Sequence, residues 1–121
     1  MKSHWVEHKG KRVFIAEFSN FGTNSAALQK ESDEIIAVLQ QEPPDSVLSI
    51  SNVEGTSATR DNLQVLMGVM PHTNKVVRKR SAVGALGIRW TFVEAINQLA
   101  GRAKFRSFNT LEDALDWIVK E

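Results

Sequence analysis

The hydrophobic and polar positions of the chain first repeat with the period of a β-strand. Residues 4–8 and 12–19 both read as strands, and the turn around Gly10 between them predicts an N-terminal β-hairpin. In the second strand apolar residues occupy both faces, as Val13 and Phe14 illustrate. At least one face of this strand must therefore be buried.

Two later segments carry their apolar residues at helical spacing. The proline pair at 43–44 is expected to end the first helix and Pro71 the second, because proline cannot continue the backbone hydrogen bonds. We expect the acidic residues Glu31, Asp33 and Glu34 outside the apolar stripe of the first helix. The stripes consist of Leu28, Ile35, Ile36 and Leu39 in the first helix and of Leu63, Leu66, Met67 and Met70 in the second.

The rest of the chain continues the alternation of strands and helices. Strands are expected around 47–52, 76–85 and 105–108, and a final helix follows the capping residue Thr110. The order β-β-α-β-α-β-α-β-α favours an α/β fold with a mostly parallel sheet and right-handed crossovers. The final helix is expected to bury Leu111, Ala114, Leu115 and Ile118, and the helix before it Phe92, Ala95, Ile96 and Leu99, ending at Gly101.

Some strand positions are polar where a fully buried parallel sheet would be apolar. Because Ser49 and Ser51 alternate with apolar residues, we expect one face of the sheet to be only partly covered. The run Arg78-Lys79-Arg80 lies at a strand start, and neighbours on a strand point to opposite faces, so these charges do not form one patch. We interpret the run as a solvated strand start or a charge-protected edge; contact with phosphates of nucleic acid or lipid is the alternative.

Length and composition are those of one folded domain spanning 1–121, with 42% hydrophobic and 24% charged residues. The chain has no cysteine, which excludes a disulfide framework and a thiol nucleophile. Neither a signal-peptide pattern nor a run of membrane-spanning length is present, and a cytoplasmic protein is expected.

Net charge is +1, but residues 75–106 hold eight Lys and Arg against one Glu, while residues 31–74 hold seven Asp and Glu against one Arg. We expect a basic and an acidic side.

The segment 47–59 is the first candidate site, because a strand runs into Gly55 and a hydroxyl-rich loop that opens a helix. Ligands of α/β proteins bind at such strand ends. The favoured interpretation of Thr56, Ser57 and Thr59 is that they cap the helix. The alternative is anion binding at the positive helix end, or phosphorylation of Ser57.

A second strand-to-helix loop at 84–90 is expected to emerge beside the first. Gly84 and Gly87 could bring the backbone close to a ligand, with Arg89 supplying charge and Trp90 an apolar wall. The pattern matches neither the dinucleotide-binding fingerprint nor the phosphate-binding P-loop. A tight turn with Trp90 partly in the core is the favoured interpretation.

The sequence contains no complete catalytic or metal-binding set of residues. His4 and His8 stand about 13 Å apart if both lie on one strand, too far to bind one metal ion. His72 has no evident partner, and the order of serines, histidines and aspartates does not indicate a catalytic triad. We therefore expect neither an enzyme nor a metal or cofactor.

Three segments resemble small bacterial STAS-like proteins, which are related to anti-sigma-factor antagonists and more distantly to CRAL-TRIO lipid-binding domains. They are residues 43–56, the stretch Arg80-Ser-Ala-Val-Gly84, and residues 101–118. The resemblance implies a β-α superhelix with successive strands side by side. It also implies binding rather than catalysis, and Ser57 occupies the region phosphorylated in the antagonist branch. Asn52 stands where an acidic strand-end residue is common in this family.

The sequence thus predicts a non-catalytic STAS-like domain that binds a protein partner or a small, lipidic or anionic ligand. The predicted site is the rim formed by the loops 52–59 and 84–90. The alternative is a carrier of an apolar ligand. A closed apolar cavity lined by Phe92, Ile96 and Met67 would support this alternative. An enzyme with convergent ionisable groups at the rim is a third hypothesis. A homodimer is left open, and nucleic acid is not an expected partner.

Overall fold

The computed structural model describes residues 1–84, 97–98 and 103–120. Its sheet has five strands in the order β1-β2-β3-β4-β5, with β1 antiparallel to β2 and the other neighbours parallel. The α/β fold, the mostly parallel sheet and the side-by-side strand order are confirmed. The helix predicted around Phe92 to Leu99 lies outside the described residues. The strands are β1 (His4–His8), β2 (Lys11–Glu17), β3 (Val47–Asn52), β4 (Val77–Val83) and β5 (Phe105–Phe108).

The predicted hairpin forms from the first two strands. His8 pairs with Lys11, so the turn consists of two residues, and both of them have positive φ, 50° at Lys9 and 80° at Gly10. A two-residue turn of this kind matches the twist of the strands that it joins, and glycine adopts its backbone angles without strain.

Three helices lie in the described ranges: α1 (Ser25–Leu39), α2 (Arg60–Thr73) and the C-terminal α3 (Leu111–Ile118). The prediction that Pro71 ends α2 is wrong, because the helix continues to Thr73. Pro71 lies in the last turn, where the missing N–H forfeits one hydrogen bond. The Thr73 hydroxyl donates to the Val69 carbonyl at 3.0 Å, and Asn74 N donates to the Met70 carbonyl at 3.0 Å, which secures the end of the helix.

Two hydrophobic clusters lie on opposite faces of the sheet. One packs α1 and α2 against the sheet, and the other packs α3 against it. Ser49 and Ser51 are paired in register with Phe14 and Ala16 of the first cluster and are buried, so the expected gap in coverage does not occur at these serines. The first cluster includes Phe14, Ala16, Leu28, Ile35, Leu39, Leu66, Val69 and Met70, and the second Val13, Ile15, Ile50, Val83, Ala114 and Ile118.

Two predictions about side chains on helices are wrong. Glu31 is buried instead of facing solvent, because the N-terminal segment crosses α1 and surrounds its carboxylate with donors: Ser3 N at 2.9 Å, Ser3 Oγ at 2.6 Å and Lys2 N at 3.0 Å. Leu111, expected inside, is 43% exposed at the first position of α3. Both errors arise because helical periodicity does not show which other segments cover a given part of a helix.

The run 78–80 does not lie on a sheet edge, because β4 pairs with both β3 and β5. Arg78 is exposed, whereas Arg80 is buried and donates from Nη2 to Thr73 Oγ1 at 3.2 Å and Asn74 Oδ1 at 3.0 Å. Burial lowers the pKa of Arg80 to about 10. Arg80 is therefore separated from the exposed Arg78, and the charge-protected edge is a wrong interpretation.

Candidate functional site

The loops that follow β2 and β3 are joined into one surface at the carboxyl ends of the parallel strands. We call this surface, made of residues 18–24 and 52–60 with Gly84, the carboxyl rim. Asn20 N donates to the Glu54 carbonyl at 2.8 Å, Gly22 N to the Gly55 carbonyl at 3.0 Å, and Ser57 N back to the Gly22 carbonyl at 2.9 Å. The predicted loop 52–59 is therefore held by hydrogen bonds to the loop that follows β2, a contact that the sequence did not indicate.

Thr56 lies inside this junction and not on its surface. Its side chain is buried; Oγ1 donates to the Phe18 carbonyl at 2.5 Å and accepts from Phe21 N at 3.1 Å. Both hydrogen bonds cross to the loop after β2, so the hydroxyl does not cap α2. Thr56 therefore supports the rim, and the prediction that it contacts a ligand or caps the helix is corrected.

Thr59 is the N-cap of α2, as the sequence predicted. It has extended backbone angles, and its hydroxyl accepts from Asn62 N at 3.1 Å. Asp61 follows in the first turn, where a negative charge is favourable at the positive helix end. The side chains of Thr59 and Asp61 thus already supply part of the hydrogen bonding and negative charge that the start of α2 favours.

Ser57 is exposed at the surface of the rim. It precedes the N-cap by two residues, and its Oγ makes no hydrogen bond within the described part of the chain. Its backbone N–H is held by Gly22, which gives the side chain a defined position at the surface. Of the three hydroxyls predicted here, Ser57 is the one that a partner or a modifying enzyme would reach.

Asn52 and Gly84 lie at the ends of β3 and β4, and both adjoin the backbone of Glu54. Asn52 Oδ1 accepts from Glu54 N at 3.1 Å, which turns the chain at the end of β3. Gly84 has φ of +83°, and a Cβ at this position would lie 2.7 Å from Glu54 N. The predicted adjacency of the two loops therefore holds at Gly84, where only glycine fits. The other residues predicted for the second loop, Gly87, Arg89 and Trp90, lie outside the described residues.

Asn62 of α2 holds the two rim loops together, and the sequence analysis did not predict this role. The side chain is fully buried; Nδ2 donates to the carbonyls of Gly22 and Ser57, both at 2.9 Å, and Oδ1 accepts from Ser25 Oγ at 2.6 Å. One amide thus joins both rim loops to the start of α1. A signal was present, because asparagine in the first turn of a helix, three residues after a threonine cap, is otherwise unfavourable.

The described residues contain neither a metal-binding cluster nor a membrane-crossing helix. No group of three or more His, Asp or Glu side chains in these ranges is placed to hold a metal ion. None of the described helices combines the length and hydrophobicity that crossing a membrane requires. Met67, predicted to line an apolar cavity, is half-buried against the first hydrophobic cluster, and its two expected neighbours, Phe92 and Ile96, lie outside the described ranges.

Comparison with known proteins identifies the fold. No family model matches the chain, and no curated protein matches it. A solved structure that is similar is an uncharacterized protein of the DUF3478 family with a SpoIIAA-like fold, from Shewanella loihica PV-4. The match has a TM-score of 0.64 and 10% identity, and it covers 96% of this chain and 91% of that one. The chain therefore has the STAS-like fold that the resemblance implied.

Proposed function

We propose that this STAS-like chain is a non-catalytic binding module whose carboxyl rim recognises a protein partner. One observation supports the proposal above the others: the two rim loops are hydrogen-bonded to each other and to buried Asn62, yet leave a row of residues at the surface. The exposed residues are Asn20, Thr23, Asn24, Glu54, Gly55, Ser57, Ala58 and Arg60.

A surface that is ordered before binding loses little conformational entropy when a partner docks. The rim fits this description, because Thr56 and Asn62 use buried hydrogen bonds to hold the loops while Ser57 stays accessible. The exposed groups are hydroxyl, amide, carboxylate and the guanidinium of Arg60, which suit a polar protein surface. The arrangement supports recognition, and no set of reacting groups is needed to explain it.

Ser57 gives this surface a means of control. Phosphorylation would add close to two negative charges two residues before the N-cap of α2, three positions after Glu54 and three before Arg60 in the sequence. A partner that binds the unmodified rim would then meet a large change in charge. This step is part of the proposal and is tested together with it.

The test places a photo-cross-linking amino acid at Ser57 in the native host, with Gln41 as the control position. Gln41 is exposed in the loop before β3, at the opposite end of the strands. We expect a specific adduct from position 57 and none from position 41, and mass spectrometry of the adduct identifies the partner. Equal cross-linking from both positions would contradict recognition by the rim.

The purified partner then allows the charge effect to be measured by calorimetry. We expect Ser57→Asp to weaken binding at least about tenfold, corresponding to roughly 1.4 kcal/mol, while Ser57→Ala changes it less than about twofold. The control Gln41→Asp adds the same charge away from the rim and should leave the affinity unchanged. If Asp and Ala at position 57 behave alike, control by phosphorylation of Ser57 is excluded.

A further inference from the structure

A second concave surface lies at the opposite end of the parallel strands from the carboxyl rim. We call it the amino-edge cleft, because it is formed where β2, β3 and β4 begin and where α3 ends. Its volume is about 710 Å³, within the range of small-molecule sites. The residues that matter for its chemistry are Lys11, Leu48, Arg78, Lys79, Ile118 and Lys120.

The lining of the cleft is strongly basic. Among the described residues, five cationic side chains line it, those of Lys11, Arg12, Arg78, Lys79 and Lys120, against the carboxylate of Glu42. That carboxylate lies 3.4 Å from Arg12, whose guanidinium also stacks over Trp5 at 4.0 Å. Within the described residues, positive charge therefore faces the cleft from Arg78 and Lys79 of β4 and from Lys120 after α3.

Two of the lysines are positioned by the end of α3. Lys79 Nζ donates to the carbonyls of Trp117 at 2.7 Å and Lys120 at 3.0 Å, and Lys11 Nζ donates to the Val119 carbonyl at 3.0 Å. These carbonyls carry only the partial negative charge of a helix C-terminus, equivalent to about half an elementary charge. They hold both ammonium groups in place at the cleft.

The cations are close enough to influence one another. The pKa of Lys79 is lowered first by its burial and then by the positive charges of Lys11, Lys120, Arg78 and Arg106. A bound anion would reverse the unfavourable interaction between these charges. Lys79 lies on the same face as Leu48, with which it is paired in register, so a charged and an apolar surface adjoin.

We propose that the amino-edge cleft binds a small organic phosphate, with the phosphate group between Arg78, Lys79 and Lys120 and the apolar part of the molecule against Leu48. A phosphate presents several oxygens to donors that converge from different elements, which is the arrangement that these side chains offer. Leu48 is half-buried and keeps apolar surface for the rest of the ligand. This site is separate from the carboxyl rim and does not depend on the function proposed there.

Binding is tested by isothermal titration calorimetry with two soluble probes, 1-naphthyl phosphate and inorganic pyrophosphate. Vesicles of phosphatidylcholine with and without phosphatidic acid form a third arm. We expect 1-naphthyl phosphate to bind more tightly than pyrophosphate and its affinity to fall with added salt. Amide NMR shifts on binding should be concentrated in β2, β3, β4 and the end of α3.

The variant Arg78→Gln/Lys120→Gln removes two cleft charges and spares the two lysines bonded to α3. Its matched control, Lys30→Gln/Arg60→Gln, removes two exposed charges outside the cleft. We expect the cleft variant to lose at least about tenfold in affinity for 1-naphthyl phosphate and the control less than about twofold. Unchanged amide spectra outside the substituted positions show that each variant keeps its fold.

Tight binding of the soluble probe assigns the phosphate to a small molecule. Binding only to vesicles that contain phosphatidic acid, with the same loss in the cleft variant, assigns it to a lipid headgroup and also supports the site. Equal losses in both variants, amide shifts at the carboxyl rim, or no binding of any probe at millimolar concentration would overturn the proposal. The lysines would then serve only to stabilise the C-terminus of α3.

Discussion

Asn62 shows how one residue can decide the shape of a surface. Its amide makes hydrogen bonds to Gly22, Ser25 and Ser57, which belong to the two rim loops and the first turn of α1. The nearest of these in sequence is five residues away and the most distant forty. A buried amide in this position costs free energy unless every hydrogen bond is made, so the loops are fixed relative to each other.

The substitution Asn62→Asp tests this role. A carboxylate of the same shape has no N–H for the carbonyls of Gly22 and Ser57, and we expect a loss of about 2–4 kcal/mol in the free energy of unfolding at pH 7. Urea denaturation measures the change. The exposed Gln64 on the same helix provides the control, since Gln64→Glu makes the same chemical change and should cost less than about 0.5 kcal/mol. Equal losses in the two variants would show that Asn62 does not organise the rim.

At the scale of elements, α1 is tied to the N-terminal segment by a buried carboxylate. Burial raises the pKa of Glu31, but hydrogen bonds from Ser3 and Lys2 and the nearby N-terminal ammonium outweigh burial, so the pKa lies below its ordinary value of 4.5. A carboxyl group with a lowered pKa stabilises the folded state at pH values above 4.5. This contribution is lost as the pH falls through the lowered pKa.

We therefore expect Glu31→Gln to lower the free energy of unfolding by about 1–2 kcal/mol at pH 7, because hydrogen bonds to a charged acceptor are replaced by weaker ones. At a pH below 4.5 the difference between the variant and the native protein should shrink, because Glu31 becomes protonated as the pH falls through its lowered pKa. Glu34→Gln is the control, because Glu34 is partly exposed and pairs with the N-terminal amine at 3.4 Å, a contact worth little. Urea denaturation at both pH values measures the difference, and a loss independent of pH would contradict this role for Glu31.

At the scale of the whole molecule, the sheet is the common wall of two hydrophobic clusters. Ile35 of α1 is buried on one side and Ile118 of α3 on the other, and each is almost fully inaccessible to solvent. Because both clusters pack on the same strands, loss of one exposes the sheet that supports the other. This arrangement favours a single folding unit, as the length of the chain predicts.

Two matched substitutions test this cooperativity. Ile35→Val and Ile118→Val each remove one methylene from a buried site, and each should lower the free energy of unfolding by about 0.5–1.5 kcal/mol. We expect tryptophan fluorescence and far-UV circular dichroism to report the same urea transition in both variants. If Ile118→Val shifts the fluorescence transition alone, α3 and its cluster unfold as a separate unit.

The sequence by itself determined the strands and helices of the described residues, because periodicity and capping depend on residues that are near each other in the chain. The turn at Gly10 predicts the hairpin, and the threonine at position 110 predicts the start of α3, where its hydroxyl accepts from Asp113 N at 3.1 Å. Alternating apolar residues likewise predict the strands, and their order with the helices predicts the parallel sheet. The fold class therefore follows from local physical chemistry.

Tertiary structure alone decided which side chains meet. Lys11 and Lys79 are 68 positions apart in the sequence, and the end of α3 brings them together at the amino-edge cleft. Likewise, a distant loop encloses Asn62, and the N-terminal segment encloses Glu31. The local pattern predicts neither contact. The physical reason is that burial and charge at these positions depend on contacts between remote segments, which the local pattern does not contain.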